Sequence, residues 1–473
     1  MFLKVPRRGP VACCAALLLA ACEGGSGGQN PPSAGPGPPP GAVGPRSPVI
    51  VDESRVPGRS VAPRMAIVDV TVVPMDSATS RPGQTVLVEN GVITHVGDAQ
   101  TTVVPDDAEV LDGAGRYLMP GLIDMHAHLM TGPGAEHDLI LELAAGVTTV
   151  RIMWGSQTHL DWRSAIEAGT LPGPALFVAT SGFEGSPPFW PGSVVVDDPV
   201  TARAEVREQH AAGYDFIKAY GGLQQEPYLA ILDEAEQLGI RVVGHVPQVL
   251  TADFAIASGQ FTVEHFSRFA AAITTTGSWS GEIDRSSLGG LIEMVRLSGT
   301  WNCPTLTVQA RSQSQVNGLM ANPLYELVSQ PMRDWLASPQ TQPPASESTD
   351  GDRRRKEVLA AFVEAGLGVV VGTDTGVRYV LPGFSIHEEL RHFAAAGLSP
   401  YEVLRAATAD AAAALESLDR GTVAAGRRAD LLLLDSDPLA DVANVNRRVG
   451  VMAAGRWFAQ SVLMDLASDG LAQ

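Results

Sequence analysis

Residues 118–128 read LMPGLIDMHAH, an apolar run introduced by Pro120-Gly121 and closed by two histidines one residue apart. Side chains alternate across a strand, so His126 and His128 share a face and can converge on one point. That is the geometry of a metal-ligand pair. A half-buried strand with two polar positions has the same spacing, and this stretch alone leaves both readings open. The rest of the chain decides between them.

The chain has 473 residues, 45% of them hydrophobic, which is enough for one large domain and a smaller one. Its formal net charge is -19 and no Lys/Arg-rich run interrupts the acidic background, so the electrostatic footprint of a nucleic-acid binder is excluded. The first residues predict export. MFLKVPRRGP carries Lys4, Arg7 and Arg8, and VACCAALLLAAC follows with an apolar run too short to span a bilayer. Leu19-Ala20-Ala21-Cys22 matches a bacterial lipobox, so removal of residues 1–21 and lipidation of Cys22 are expected, with the protein anchored in the cell envelope. An ordinary secretory peptide is the alternative. Of the cysteines at 13, 14, 22 and 303, only Cys303 would remain as a thiol, so the core and not a disulfide framework must hold the fold. Residues 22–63 are rich in Gly, Pro and Ser without apolar periodicity and read as a tether.

Residues 64–119 contain short alternating β-branched runs separated by turn signals, with Asn90-Gly91 as a two-residue hairpin. Residues 416–473 have the same texture, and the two ends are expected to form one small β-sandwich domain. Between them, over 120–415, eight apolar runs alternate with helical periodicity: GLIDMHAH, GVTTVRIMW, ALFVATSG, DFIKAY, RVVGHV, FTVEHF, WNCPTL and GVVVGTDTG. Eight successive βα units predict an α/β fold of the (β/α)8 TIM-barrel type, whose chemistry sits at the C-terminal strand ends. The stretch 310–355 is longer than a standard connection and is expected to form a lid or side insertion.

The strand ends carry His126 and His128 on the first strand, Lys218 on the fourth, His245 on the fifth, His265 on the sixth and Asp374 on the eighth. Singly, each has an ordinary explanation: a hydrogen-bonded core histidine, a snorkelling lysine, a helix-capping aspartate. Jointly they point to a metal site. From PGLIDMHAH through AAGVTTVR, GYDFIKAY, VVGHV, TVEHF and GTDTG to GRRADLLLLDSDPL, the chain resembles the amidohydrolase superfamily, in particular its imidazolonepropionase-like and prolidase-like members. In TTVRIMWG, Ile152 stands where relatives often have Asp, which bears on contacts around the site and not on the ligands themselves.

The resemblance implies two divalent metal ions, zinc by preference, bridged by a carboxylated Lys218. His126, His128 and Asp374 would hold one ion, and His245 with His265 the other. A lysine made neutral by its surroundings can take up carbon dioxide, whereas an ammonium cannot ligate a cation. Coordination lowers the pKa of bound water toward roughly 7 and supplies a hydroxide nucleophile. Asp374 is expected to shuttle the proton, and Tyr220, two residues after Lys218 on the same face, to donate to the developing oxyanion. A substrate carboxylate would need a cation near the strand ends: Arg268, Arg151 and Arg378 are the candidates, with His137 as a further substrate contact. The expected function is hydrolysis of an amide in a dipeptide or N-acyl amino acid. Hydrolysis of a cyclic amide, of the imidazolone or lactam type, is the alternative within enzymes, and a non-catalytic binding lipoprotein the alternative outside them. Self-association is left open.

Overall fold

The computed structural model describes residues 64–346 and 348–469. The expected leader, the tether and Cys22 lie outside these residues. Strands Arg64–Val72, Arg81–Glu89, Val92–Asp98, Glu109–Asp112 and Tyr117–Pro120 join Leu431–Leu434, Arg448–Ala453 and Arg456–Ala459 in one eight-stranded mixed sheet. The Asn90-Gly91 hairpin forms as its sequence predicts, with φ of 50° and 79°. In place of two separate sandwich layers there is a single hydrogen-bonded sheet that curls back on itself: Ile93 N donates to Arg427 O, and Gly426 N to Ile93 O.

The run LLLL at 431–434 shows why this sheet stays attached to the rest. Leu431 and Leu433 enter a small core with Ile67, Val86 and Trp457, while Leu432 and Leu434 enter the large central core. A strand covered on both faces needs an apolar residue at every position, so alternation disappears. Each such fully buried leucine contributes about 1.5–3 kcal/mol. The last helix, Gln460–Asp469, also faces the large core through Leu463 and Ala467, and Gln460 Nε2 donates to Ala144 O at 2.9 Å.

The middle of the chain is α/β and of the TIM-barrel type, with parallel strands alternating with helices. Leu122–Ala127, Val147–Ile152 and Ala175–Val178 form one ladder; Phe216–Ala219 and Arg241–Gly244 form another; Thr262–Glu264 pairs with Trp301–Cys303. Two short strands not foreseen in the sequence, Phe183–Glu184 and Val194–Val195, extend the second ladder. Single parallel contacts connect the ladders: Ala179 with Phe216, Phe261 N to Val242 O at 2.9 Å, Asn302 with Val369, and Ala127 with Thr375. The eighth run therefore joins its neighbours by isolated bridges and not by a regular ladder. Gly372 and Asp374 explain this irregularity. A Cβ on Gly372 would lie 2.4 Å from Cys303 Sγ and 2.9 Å from the His126 backbone nitrogen, and Asp374 has a φ of 62°. Only glycine permits the first approach, and the left-handed backbone at the second turns the aspartate out of strand geometry.

Candidate metal centre

The motif GTDTG is locked to the first strand by Asp124. This buried carboxylate accepts from Thr373 Oγ1 at 2.6 Å, Thr373 N at 3.1 Å and His126 N at 3.0 Å. Asp374 N in turn donates to His126 O at 2.7 Å. The first and eighth runs, which carry three of the expected ligands, are thus held in register by the Asp124 carboxylate.

His126, His128 and Asp374 converge. His126 Nε2 lies 3.2 Å from His128 Nε2 and 3.2 Å from Asp374 Oδ1, and His128 Nε2 lies 2.9 Å from the same oxygen. The other nitrogen of His126, Nδ1, lies 2.9 Å from Glu264 Oε2. A carboxylate only accepts, so Nδ1 carries a hydrogen, and Nε2 faces Asp374 and His128. Two ring nitrogens facing one carboxylate oxygen need positive charge between them, which a ring proton or a bound cation supplies. The same demand is visible in the titration of His126: burial opposes a charged ring, yet Asp374 and Glu264 raise its pKa above the ordinary value.

The second group of expected ligands adjoins the first. The His265 ring centroid is 4.7 Å from that of His126 and 4.7 Å from that of His245. His265 Nδ1 meets Thr305 Oγ1 at 2.6 Å and lies 3.8 Å from Asp374 Oδ2. His265 and Thr305 both have positive φ, at 62° and 49°, so backbone strain collects at the strand ends. Buried His245 Nδ1 has no hydrogen-bond partner among the described residues. Lys218 is buried, and burial pushes its pKa down to about 8. Its Nζ sits 5.6 Å from the Trp154 ring and 5.7 Å from the Tyr220 ring. An imidazole nitrogen without a partner among the described residues, two ring nitrogens converging on one carboxylate oxygen and a weakened ammonium fit metal ions at this place.

Tyr220 stands beside the expected ligands, its ring 4.3 Å from that of His245. Burial pushes its pKa up to about 12, so the phenol keeps its hydrogen. Trp190 Nε1 donates to Tyr220 Oη at 2.6 Å. An indole cannot accept, so the phenolic hydrogen is directed elsewhere.

The other candidates separate in the structure. Arg151 is fully buried and committed: Nη2 meets Glu264 Oε1 at 2.8 Å and Nε donates to Met125 O at 2.6 Å. It is corrected from a carboxylate receptor to the counter-charge of the Glu264 that orients His126. His137 is also corrected. Its Nε2 is taken by Leu327 O at 2.9 Å, which fastens the inserted segment to the first βα loop. Arg268 is exposed, with Nε on Leu250 O at 3.2 Å, and Arg378 is half-buried, with Nη1 on Val308 O at 3.3 Å. Neither has an ion pair among the described residues. Ile152 is buried in the central core. The 310–355 stretch is helical over Gln313–Met320, Pro323–Glu326 and Gln330–Leu336, and Trp335 Nε1 donates to Gly376 O at 2.8 Å, two residues beyond Asp374. It therefore reaches the mouth of the site. Glu264, Trp190 and Trp335 were missed in the sequence; only the place of Glu264 before His265 at a strand end hinted at a role.

Comparison with known proteins agrees with this geometry. Residues 117–458 match the amidohydrolase family. A stretch of 66 residues is 41% identical to imidazolonepropionase of Bacillus cereus, covering 14% of this chain and 15% of that protein. A stretch of 82 residues is 39% identical to dihydroorotase of Trichlorobacter lovleyi, covering 16% of this chain and 19% of the relative. The chain thus matches less than a fifth of the length of these curated relatives. Among solved structures, bottromycin amidohydrolase superposes with a TM-score of 0.69 at 25% identity, covering 86% of this chain and 90% of that one. A Bifidobacterium longum protein described provisionally as a prolidase superposes with a TM-score of 0.65 at 26% identity, covering 86% of this chain and 100% of the other. With most of its length matched and its histidines, lysine and aspartate gathered at the strand ends, the chain belongs to the amidohydrolase family.

Proposed function

We propose that the chain hydrolyses an amide bond in dipeptides or N-acyl amino acids that carry a free carboxylate, using two divalent ions bridged by a carboxylated Lys218 at the mouth of a (β/α)8 barrel. The observation that carries this reading is the convergence of His126 Nε2, His128 Nε2 and Asp374 Oδ1 within 3.2 Å. His126, His128 and Asp374 would hold one ion, zinc by preference, and His245 with His265 the other. Bound there, the ions would acidify a water molecule and polarise the scissile carbonyl. Asp374 accepts the proton of the attacking water on its carboxylate and returns it to the leaving nitrogen. Tyr220, whose oxygen already accepts from Trp190, donates its hydrogen to the carbonyl oxygen as charge builds there. Arg268 and Arg378, which have no ion pair among the described residues, are the cations for the substrate carboxylate.

The prolidase-like structure is matched over its whole length and covers 86% of this chain, which supports the peptide reading. The short matches to imidazolonepropionase and dihydroorotase favour the cyclic-amide alternative. A library of dipeptides, N-acyl amino acids, their C-terminally amidated counterparts, lactams and imidazolones, offered to metal-loaded protein, separates the two. The expected result is cleavage of the free acids, with amidated analogues much slower because they leave a guanidinium unpaired. Cleavage of rings alone would replace the proposal. For the cell, the proposal is a lipid-anchored envelope enzyme; Cys22→Ser should abolish detergent partitioning, and unchanged partitioning would refute the anchor.

A further inference from the structure

One side of the metal ligands is walled by aromatic rings that the chemistry above uses only in part. Trp154 meets the Tyr220 ring edge-on with centroids 5.9 Å apart. Trp190, hydrogen-bonded to Tyr220, lies 6.0 Å from Trp335 at an interplanar angle of 49°. Phe189 packs edge-on against Trp190 at 4.9 Å and is 72% exposed. The rings come from four places: the end of the second strand, the loop after the third, the end of the fourth, and the inserted segment.

The wall is held from behind. Buried Glu184 accepts from Phe189 N at 3.0 Å, Trp190 N at 3.3 Å and Ser193 Oγ at 2.7 Å, which ties down the loop that bears Trp190. Trp335 is tied by its own N–H to Gly376 O. These bonds also limit what the wall can offer. Indole has a single polar group, a donor. With Trp190 bonded to Tyr220 and Trp335 to Gly376, both present only carbon faces and edges. Both indoles are half-buried, so part of that carbon surface stays open. A side chain laid against them gains apolar burial and ring contact without displacing a hydrogen bond.

On the amide-hydrolase reading above, we propose that Trp190 and Trp335 form an apolar subsite selecting substrates with an aromatic or large apolar side chain on a residue flanking the scissile amide. The test compares kcat/KM of metal-loaded, full-length protein for Ala-Phe, Phe-Ala, Ala-Lys and Lys-Ala against Ala-Ala. In parallel, calorimetry compares the binding of N-acetyl-phenylalanine and N-acetyl-alanine to metal-free protein. At least one phenylalanine dipeptide should be favoured by about tenfold, with a similar ratio in binding. Trp190→Ala and Trp335→Ala should each bring the ratios toward one, and Trp335→Leu, which keeps apolar bulk, should retain part of them. Flat ratios, a preference for lysine, or a preference untouched by these substitutions would overturn the subsite. If no amide is cut and metal-free protein still favours the phenylalanine ligand tenfold, the reaction is wrong and the subsite stands.

Discussion

Replacing Glu264 with Gln tests the reasoning about the metal centre most directly. Glu264 has no solvent exposure and accepts from Arg151 Nη2 at 2.8 Å, from His126 Nδ1 at 2.9 Å and from Thr262 Oγ1. Burial acts to raise its carboxyl pKa, but the Arg151 charge and the His126 hydrogen bond outweigh it, and the net pKa is well below the usual carboxylate range. Glutamine keeps the volume and removes the charge. Arg151 is then a buried cation without its counter-ion, a loss of about 3–5 kcal/mol when one partner of a buried pair is removed. One of the two acceptor oxygens also becomes an NH2 group, which only donates, so either Arg151 and Thr262 or His126 loses its acceptor. If it faces His126, that ring loses the bond that sets its tautomer, and metal affinity should fall roughly 10–100-fold. Urea unfolding followed by circular dichroism measures the first effect, and competition with a chelator the second. An unchanged unfolding midpoint together with unchanged metal retention would refute the orienting role of Glu264. Because the carboxyl pKa is depressed, its contribution is fully present above the unfolded value near 4.3 and is lost only as pH falls below it. The deficit of the variant should therefore be constant between pH 6 and 8.

Three further outcomes are expected. Burial pushes the pKa of His159 down to about 4, so the neutral ring stabilises the fold above the unfolded pKa near 6.5, and that contribution is lost as pH falls toward 4. His159→Gln should consequently cost more at pH 8 than at pH 5, and equal urea-midpoint losses at both pH values would contradict this. Trp190→Phe removes the donor to Tyr220 and keeps a ring; kcat should fall severalfold, and the loss should vanish in a Tyr220→Phe background, where additive losses would rule out coupling. Lys218→Ala should lose most of its metal and activity, with small carboxylic acids restoring part of both; two metals per chain at normal turnover would make Lys218 an ordinary strand-end lysine.

Much of the candidate site was legible because strand-end side chains are written locally. In LMPGLIDMHAH the two-residue period puts both histidines on one face, and the structure brings them within 3.2 Å. Gly372 and Gly376 in GTDTG mark where the backbone must approach the first strand, at His126 N and at His128 O. The Asn90-Gly91 turn depends only on two residues that tolerate positive φ. Other features depended on residues far apart in the chain. Arg151 and Glu264 are 113 positions apart, and His126 and Glu264 138. No local pattern distinguishes an arginine that will be neutralised in the interior from Arg268 or Arg378, which form no ion pair among the described residues. The meeting of Trp190 with Trp335, and of His137 with Leu327, likewise required the inserted segment to be placed. Periodicity and turn chemistry act over a few residues and determined which groups reach the strand ends; burial and charge pairing act through space, and only the tertiary structure decided which of those groups are committed and which remain free for chemistry.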